Sequence, residues 1–248
     1  MNARVMPGVS MSVATFEAAI DREPMEWLAR TVAATMEDWW WPGDNVTLVR
    51  GNREMVGSRA VVREFVDLVS KSKPRLPSFV EVDGAPGRLV IGVFGRDLPY
   101  PTGPLPLSCE IEWTMVSGSP DSMPEPGPLL ELFKDAVKAT NADGGFVDAV
   151  GAGRTRWESG RGIRKGTGLA AWQGRLRGDT WATWVSPAAV ARLGDMSRSM
   201  DDAPVYSTEV VRTQTGEGYI VLLSPTPYDV PEQARLAWLN FASSLLPE

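Results

Sequence analysis

Histidine is absent from the 248 residues, and there is a single cysteine, Cys109. Without histidine there is no Ser-His-Asp or Cys-His catalysis, no histidine-ligated metal and no imidazole pH switch. One thiol makes neither an internal disulfide nor a cysteine-rich zinc site. A chain so poor in cysteine suits a reducing compartment, and the cytoplasm is the expected location. No stretch approaches the roughly 20 apolar residues of a membrane span. Residues 1–13 carry no apolar segment behind a basic start, so no secretory signal is expected. Lysine is scarce, five residues against twenty arginines. The expectation is a chain with no catalytic residues, no cofactor and no transition metal; carboxylate-bound magnesium or calcium stays open.

What is present is ordinary for a globular protein: 43% hydrophobic, 23% charged and 8% aromatic residues. The length allows one large domain or two small ones. Net charge is −6, which disfavours nucleic acid as a partner and suits a basic one. The charge is uneven. Arg154, Arg156, Arg161, Arg164, Lys165, Arg175 and Arg177 crowd residues 151–178 against Glu158 alone, so that segment carries +6 and the remainder −12.

Along the chain, residues 1–23 read as a loosely ordered extension and 24–248 as one domain, with two packed halves meeting near 117–128. Met25, Leu28, Ala29, Val32, Met36 and Trp39 recur at helical spacing, which predicts a helix over 24–40. Strands are expected at 45–50, 79–83 and 88–94, and a helix at 59–70. The clearest strand is 107–115, where Leu107, Cys109, Ile111, Trp113 and Met115 alternate with Ser108, Glu110, Glu112 and Thr114. A helix over 128–141, strands at 145–150 and 180–185, and a helix from Pro187 to Gly194 follow. A hairpin over 205–224 and a helix over 230–246 close the chain. Helices and antiparallel-looking strands without β-α-β alternation predict an α+β fold: a mixed, largely antiparallel sheet with packed helices.

Several residue groups bear on chemistry. Glu110 and Glu112 share one side of a strand, and Glu81 and Asp83 share a face on a nearby one. Paired carboxylates serve acid–base chemistry, a hard cation or a basic partner, while the plain reading is a solvated sheet face. The stretch from Gly160 to Gly168 has the composition of a phosphate loop but lacks the G-x-x-x-x-G-K-[ST] order, and a flexible surface loop is the plainer reading. Trp39, Trp40 and Trp41 are consecutive. On a helix they span about 200°, so all three cannot enter one core, and at least one is a candidate partner anchor. Cys109 alternates with apolar neighbours and reads as a buried, inert thiol.

The order of features resembles a known family. Gly127-Pro128-Leu129-Leu130 opens a helix, Asp148 lies on a short strand, and a Trp181-x-x-Trp184 strand runs into Ser186–Gly194. In this order and in the segment Thr180-Trp181-Ala182-Thr183-Trp184-Val185, the chain resembles the immunity protein 52 family and related type VI immunity proteins of bacterial polymorphic-toxin systems. That family's segment is Gly-Trp-Leu-Thr-Tyr-Leu, so Thr180, Ala182, Trp184 and Val185 depart from it. The resemblance implies a cytoplasmic antitoxin that binds one cognate protein toxin, and it supplies no catalytic residues. The reading is a non-catalytic immunity protein with no membrane partner. Glu81, Asp83, Glu110, Glu112, Trp39, Trp40 and Trp41 are its partner-binding candidates. Two alternatives stand beside it: an enzyme acting on a phosphorylated substrate through carboxylates and the basic loop, and a structural component of a secretion or phage-like particle.

Overall fold

The structure, a computed structural model, describes residues 8–15, 46–50, 53–57, 78–84, 87–96, 99–100, 103–104, 108–117, 123–150, 176, 179–195 and 198–245. The helices expected at 24–40 and 59–70 lie outside the described residues.

The described chain is built on one sheet. Its strands are β1 (Gly8–Thr15), β2 (Val46–Arg50), β3 (Arg53–Gly57), β4 (Ser78–Gly84), β5 (Gly87–Arg96), β8 (Ser108–Ser117), β9 (Gly144–Val150), β10 (Ala182–Val185), β11 (Ser207–Thr213) and β12 (Gly216–Leu222). The order across the sheet is β11-β12-β10-β9-β1-β8-β5-β4-β2-β3. All nine pairings are antiparallel. The two-residue strands β6 (Pro99–Tyr100) and β7 (Gly103–Pro104) form a separate ribbon. Three α-helices are described: α1 (Pro126–Thr140), α2 (Pro187–Asp195) and α3 (Glu232–Phe241). The fold is α+β, as the sequence suggests. Its large sheet is antiparallel at every pairing among the described strands.

The first strand, β1, is the main correction. Residues 8–15, read from the sequence as part of a loose extension, form a central strand. β1 pairs with β8 on one side, Met11 opposite Trp113, and with β9 on the other, Met11 opposite Val147. Among the described strands, β1 is the sole link between the strands before residue 118 and those after 143. The physical reason is in its alternation: Val9, Met11 and Val13 are 0–1% exposed.

The tight hairpins follow from local chemistry. Ala85-Pro86 connects β4 and β5 between the paired Gly84 and Gly87. Gln214-Thr215 connects β11 and β12, closed by Thr213 opposite Gly216, and Gly216 has φ +136°, which favours glycine. The sequence suggests a longer turn reaching Gly218, but Gly218 lies within β12. A Cβ there would stand 2.5 Å from the Val185 carbonyl oxygen and would collide with the Trp184 ring. Gly218 thus makes room for a tryptophan.

Because strand neighbours share a face, the register sorts the sheet into two faces. One carries Val9, Met11, Val13, Val147, Trp184, Ile220 and Val211, all buried. Helix α1 packs across it. Leu129, Phe133, Ala136, Val137 and Thr140 form its inward stripe at helical spacing. Asn141, in the left-handed conformation (φ 47°), ends the helix. The Trp184 indole nitrogen donates to the Ala142 carbonyl at 2.8 Å, so this large ring is buried with its one polar atom satisfied.

Helices α2 and α3 cover the opposite face at its β10–β12 end. Val185, Ala189, Leu193, Val221, Leu223, Trp238 and Leu245 pack there in one cluster. Trp238 and Phe241 stack with centroids 5.9 Å apart. Trp181 and Trp184 are both 1% exposed and therefore serve the core.

Candidate partner-binding face

The face covered by α2 and α3 continues past β9 and changes character. On β9 it carries Phe146 and Asp148, and on β1 Ser10 and Ser12. On β8 it carries Glu110, Glu112 and Thr114, with Glu112 opposite Ser12 and Glu110 opposite Ala14. On β5 Gly92 lies opposite Glu112 and Phe94 opposite Glu110. On β4 Glu81 lies opposite Val90 and Asp83 opposite Arg88. All four carboxylate residues singled out from the sequence therefore share one face of three neighbouring strands. The other face of the same strands carries Cys109, Ile111, Trp113 and Met115 on β8, and Leu89, Ile91 and Val93 on β5. The alternation read at 107–115 thus places Cys109 with buried Val9, Met11 and Val13. Trp39, Trp40 and Trp41 lie outside the described residues. Within the basic segment 151–178, only Leu176 is described; it is 2% exposed, and its N–H donates to the Leu245 carbonyl at 2.8 Å.

Where the polar face meets α3, its charge is consumed internally. Arg235, in the first turn of α3, holds Asp148 through both guanidinium nitrogens, at 3.1 and 3.3 Å. The same guanidinium donates to the Asp179 carbonyl. The Trp181 N–H donates to Asp148 Oδ1 at 3.3 Å, and the Trp181 indole donates to the Ser224 carbonyl at 2.8 Å. Burial pushes the Asp148 carboxyl above the ordinary aspartate range, and the Arg235 hydrogen bond and charge only partly offset this. Asp179 is 1% exposed, and its Oδ1 has no hydrogen-bond partner among the described residues. This arrangement holds the helix to the sheet and offers little to a ligand. On β1, Ser12 on the same face is 3% exposed. The carboxylates at 81, 83, 110 and 112 begin one strand further on.

On the α1 face a second charged group is also satisfied. Lys134 bonds Glu131 at 2.7 Å and Glu209 at 2.6 Å. Burial lowers the ammonium pKa, and the two carboxylates outweigh that and raise it. Among the described residues, no group of three or more potential ligands is placed to hold a metal ion, and no helix is long and apolar enough to cross a membrane.

Two features escaped the sequence reading. The Asp148–Arg235 pair spans 87 positions, and the only local sign of it was an aspartate on an otherwise apolar strand. The exposed Tyr206 and Val210 beside and on β11 gave no sign at all, because aromatic and β-branched residues are equally at home in a buried strand.

These features define a class: an α+β protein on one long antiparallel sheet, apolar on one face and partly acidic on the other. No family model and no curated protein matches the chain, so the likeness to the immunity protein 52 family rests on the short segments quoted above. Among solved structures, the chain is similar to the Pseudomonas aeruginosa T6SS protein PA0821. The similarity covers 98% of this chain and 77% of that one, with a TM-score of 0.60 and 12% identity. At that identity the likeness is one of fold.

Proposed function

We propose that the chain is an immunity protein of a type VI secretion setting, which binds and neutralises a cognate bacterial toxin in the cytoplasm without catalysis. The observation that carries this reading is the likeness of fold to a T6SS protein over nearly the whole chain. The resemblance in the Trp181–Val185 segment and the net charge of −6 support it. The common face of Glu81, Asp83, Glu110 and Glu112 supports a basic partner surface. Complementary charge raises the association rate and penalises wrong partners.

The test takes as partner a toxin found encoded beside this chain's own reading frame, or captured with the protein from native lysate. Reversing Glu110 and Glu112 to Lys preserves the fold, because both lie on the polar side of their strand. The double variant is expected to associate more slowly, with the difference shrinking as salt screens the charges. Rates unchanged at every ionic strength remove this face from the interface. Turnover of a small substrate by the protein alone refutes the non-catalytic reading.

A further inference from the structure

Among the described strands the sheet ends at β11, and this edge carries little of the usual protection. β11 runs in unbroken register with β12 for seven residues, Ser207–Thr213. It contains no proline, lysine or bulge; its charged residues, Glu209 and Arg212, are the protective device it does carry. Apart from the β12 ladder, its backbone groups make no hydrogen bond to a described residue. Val210 is 49% exposed, and the adjoining Tyr206 is 60% exposed. The two charges of the strand are met within the chain, Glu209 by Lys134 at 2.6 Å and Arg212 by Glu217 at 3.2 Å. On a protein of net charge −6, the strand itself carries no net charge, Glu209 balancing Arg212.

We infer that β11 is the pairing edge for a second copy of this chain, antiparallel to β11 of its partner about a two-fold axis at Val210. Such an axis keeps every residue on its own face of the sheet, so one residue must lie opposite itself. Centring on Glu209 would oppose two carboxylates, and centring on Arg212 two guanidiniums. Centring on Val210, the middle of the strand, pairs all seven residues. Val210 then meets Val210, Glu209 meets Val211, Thr208 meets Arg212 and Ser207 meets Thr213. No like charges are opposed, and the exposed valine gains an apolar cross-strand contact. A single strand pair is small beside the roughly 1,200–2,000 Å² of a standard interface, so the dimer is concentration-dependent.

Sedimentation of the full chain between about 1 and 200 µM, the range in which a small interface dissociates, tests this. The mass is expected to rise from one chain towards two. V210K opposes two ammonium groups at the axis and is expected to keep the mass of one chain, with an unchanged circular dichroism spectrum. V210C, made in a C109A background, is expected to crosslink to a dimer under mild oxidation, because cross-strand partners lie within disulfide reach. A mass of one chain throughout with no crosslink overturns the inference and leaves the edge to a strand of another protein. A V210K variant that still dimerises also overturns it, because the contact then lies elsewhere.

Discussion

Replacing Arg235 by Met tests whether the guanidinium is what holds α3 to the sheet. The Arg235 and Asp148 side chains are 14% and 13% exposed and joined at 3.1 Å. Removing the cation leaves a buried carboxylate that still accepts hydrogen bonds from the Trp181 and Ala149 N–H groups but has no counter-charge. It also leaves the Asp179 carbonyl without the donor that now meets it. Breaking a buried pair from one side costs about 3–5 kcal/mol. The residual exposure of both side chains places this case near the low end, about 3 kcal/mol. For a chain of this length, that lowers Tm by roughly 6–12 °C. Urea unfolding followed by tryptophan fluorescence measures the loss. Adding Asp148→Asn should recover more than half of it, because the neutral amide carries no ionic desolvation cost while its oxygen still accepts from Trp181. The two effects should be strongly non-additive in a double-mutant cycle. A loss below about 1 kcal/mol for R235M, or a double variant no better than R235M, refutes the assignment of a buried, coupled pair.

Asp148 also gives a pH prediction. Its native pKa is raised above the ordinary 3.8, so the folded state holds that proton more tightly than the unfolded one. The associated stability is fully present below about pH 3.8 and is lost as pH rises through the native pKa. Stability curves of wild type and Asp148→Asn should therefore diverge over that window, and parallel curves would refute it. Lys134 is raised as well, so its contribution is present below pH 10.5 and fades above that value; Lys134→Met should flatten the alkaline limb of the stability curve. Gly218→Ala should destabilise the fold by about 1–3 kcal/mol, since the new methyl meets the Trp184 ring and the Val185 carbonyl; a neutral result in chemical denaturation would count against that contact. Cys109 shares the face of Val9, Met11 and Val13, so a thiol reagent should label it slowly until denaturant is added, and rapid native labelling would contradict the register.

The parts of the fold that could be read from the sequence are those that announce themselves locally. β4 and β5 are sequence neighbours that pair from Ser78 opposite Val93 to Gly84 opposite Gly87. β8 alternates over its whole length, and α1 places Leu129, Phe133 and Val137 at helical spacing behind two prolines. β1 alternates just as regularly, as Val9-Ser10-Met11-Ser12-Val13, but its partners lie about 100 and 140 positions away and nothing nearby marks it as a central strand. β3 escaped for another reason. Its Arg53 and Glu54 suit an edge strand, and only Met55 and Val56 suggest burial. The acidic residues could be read in pairs, since Glu110 and Glu112 are two apart, as are Glu81 and Asp83. That the pairs share one face depends on β5, whose register with both neighbours no local pattern determines.

The two-faced character of the sheet follows from that register. In an antiparallel sheet, a slip of one residue moves every side chain of a strand to the other face. Slipping β8 by one against β1 would set Ile111 and Trp113 beside Ser10 and Ser12, and would carry Glu110 and Glu112 to the side of Met11 and Val13. Burying two carboxylates there without partners costs several kcal/mol each, on top of the apolar area lost from the core. The same carboxylates that we propose face a basic partner therefore also exclude the wrong alignment of the strand that carries them. Reversing Glu110 and Glu112 to Lys keeps this second role, because an ammonium is as costly to bury as a carboxylate. Changing both to Ala would not keep it. Charge reversal is accordingly the cleaner probe of the proposed partner surface, since it alters the sign of the face while leaving the penalty for misalignment in place.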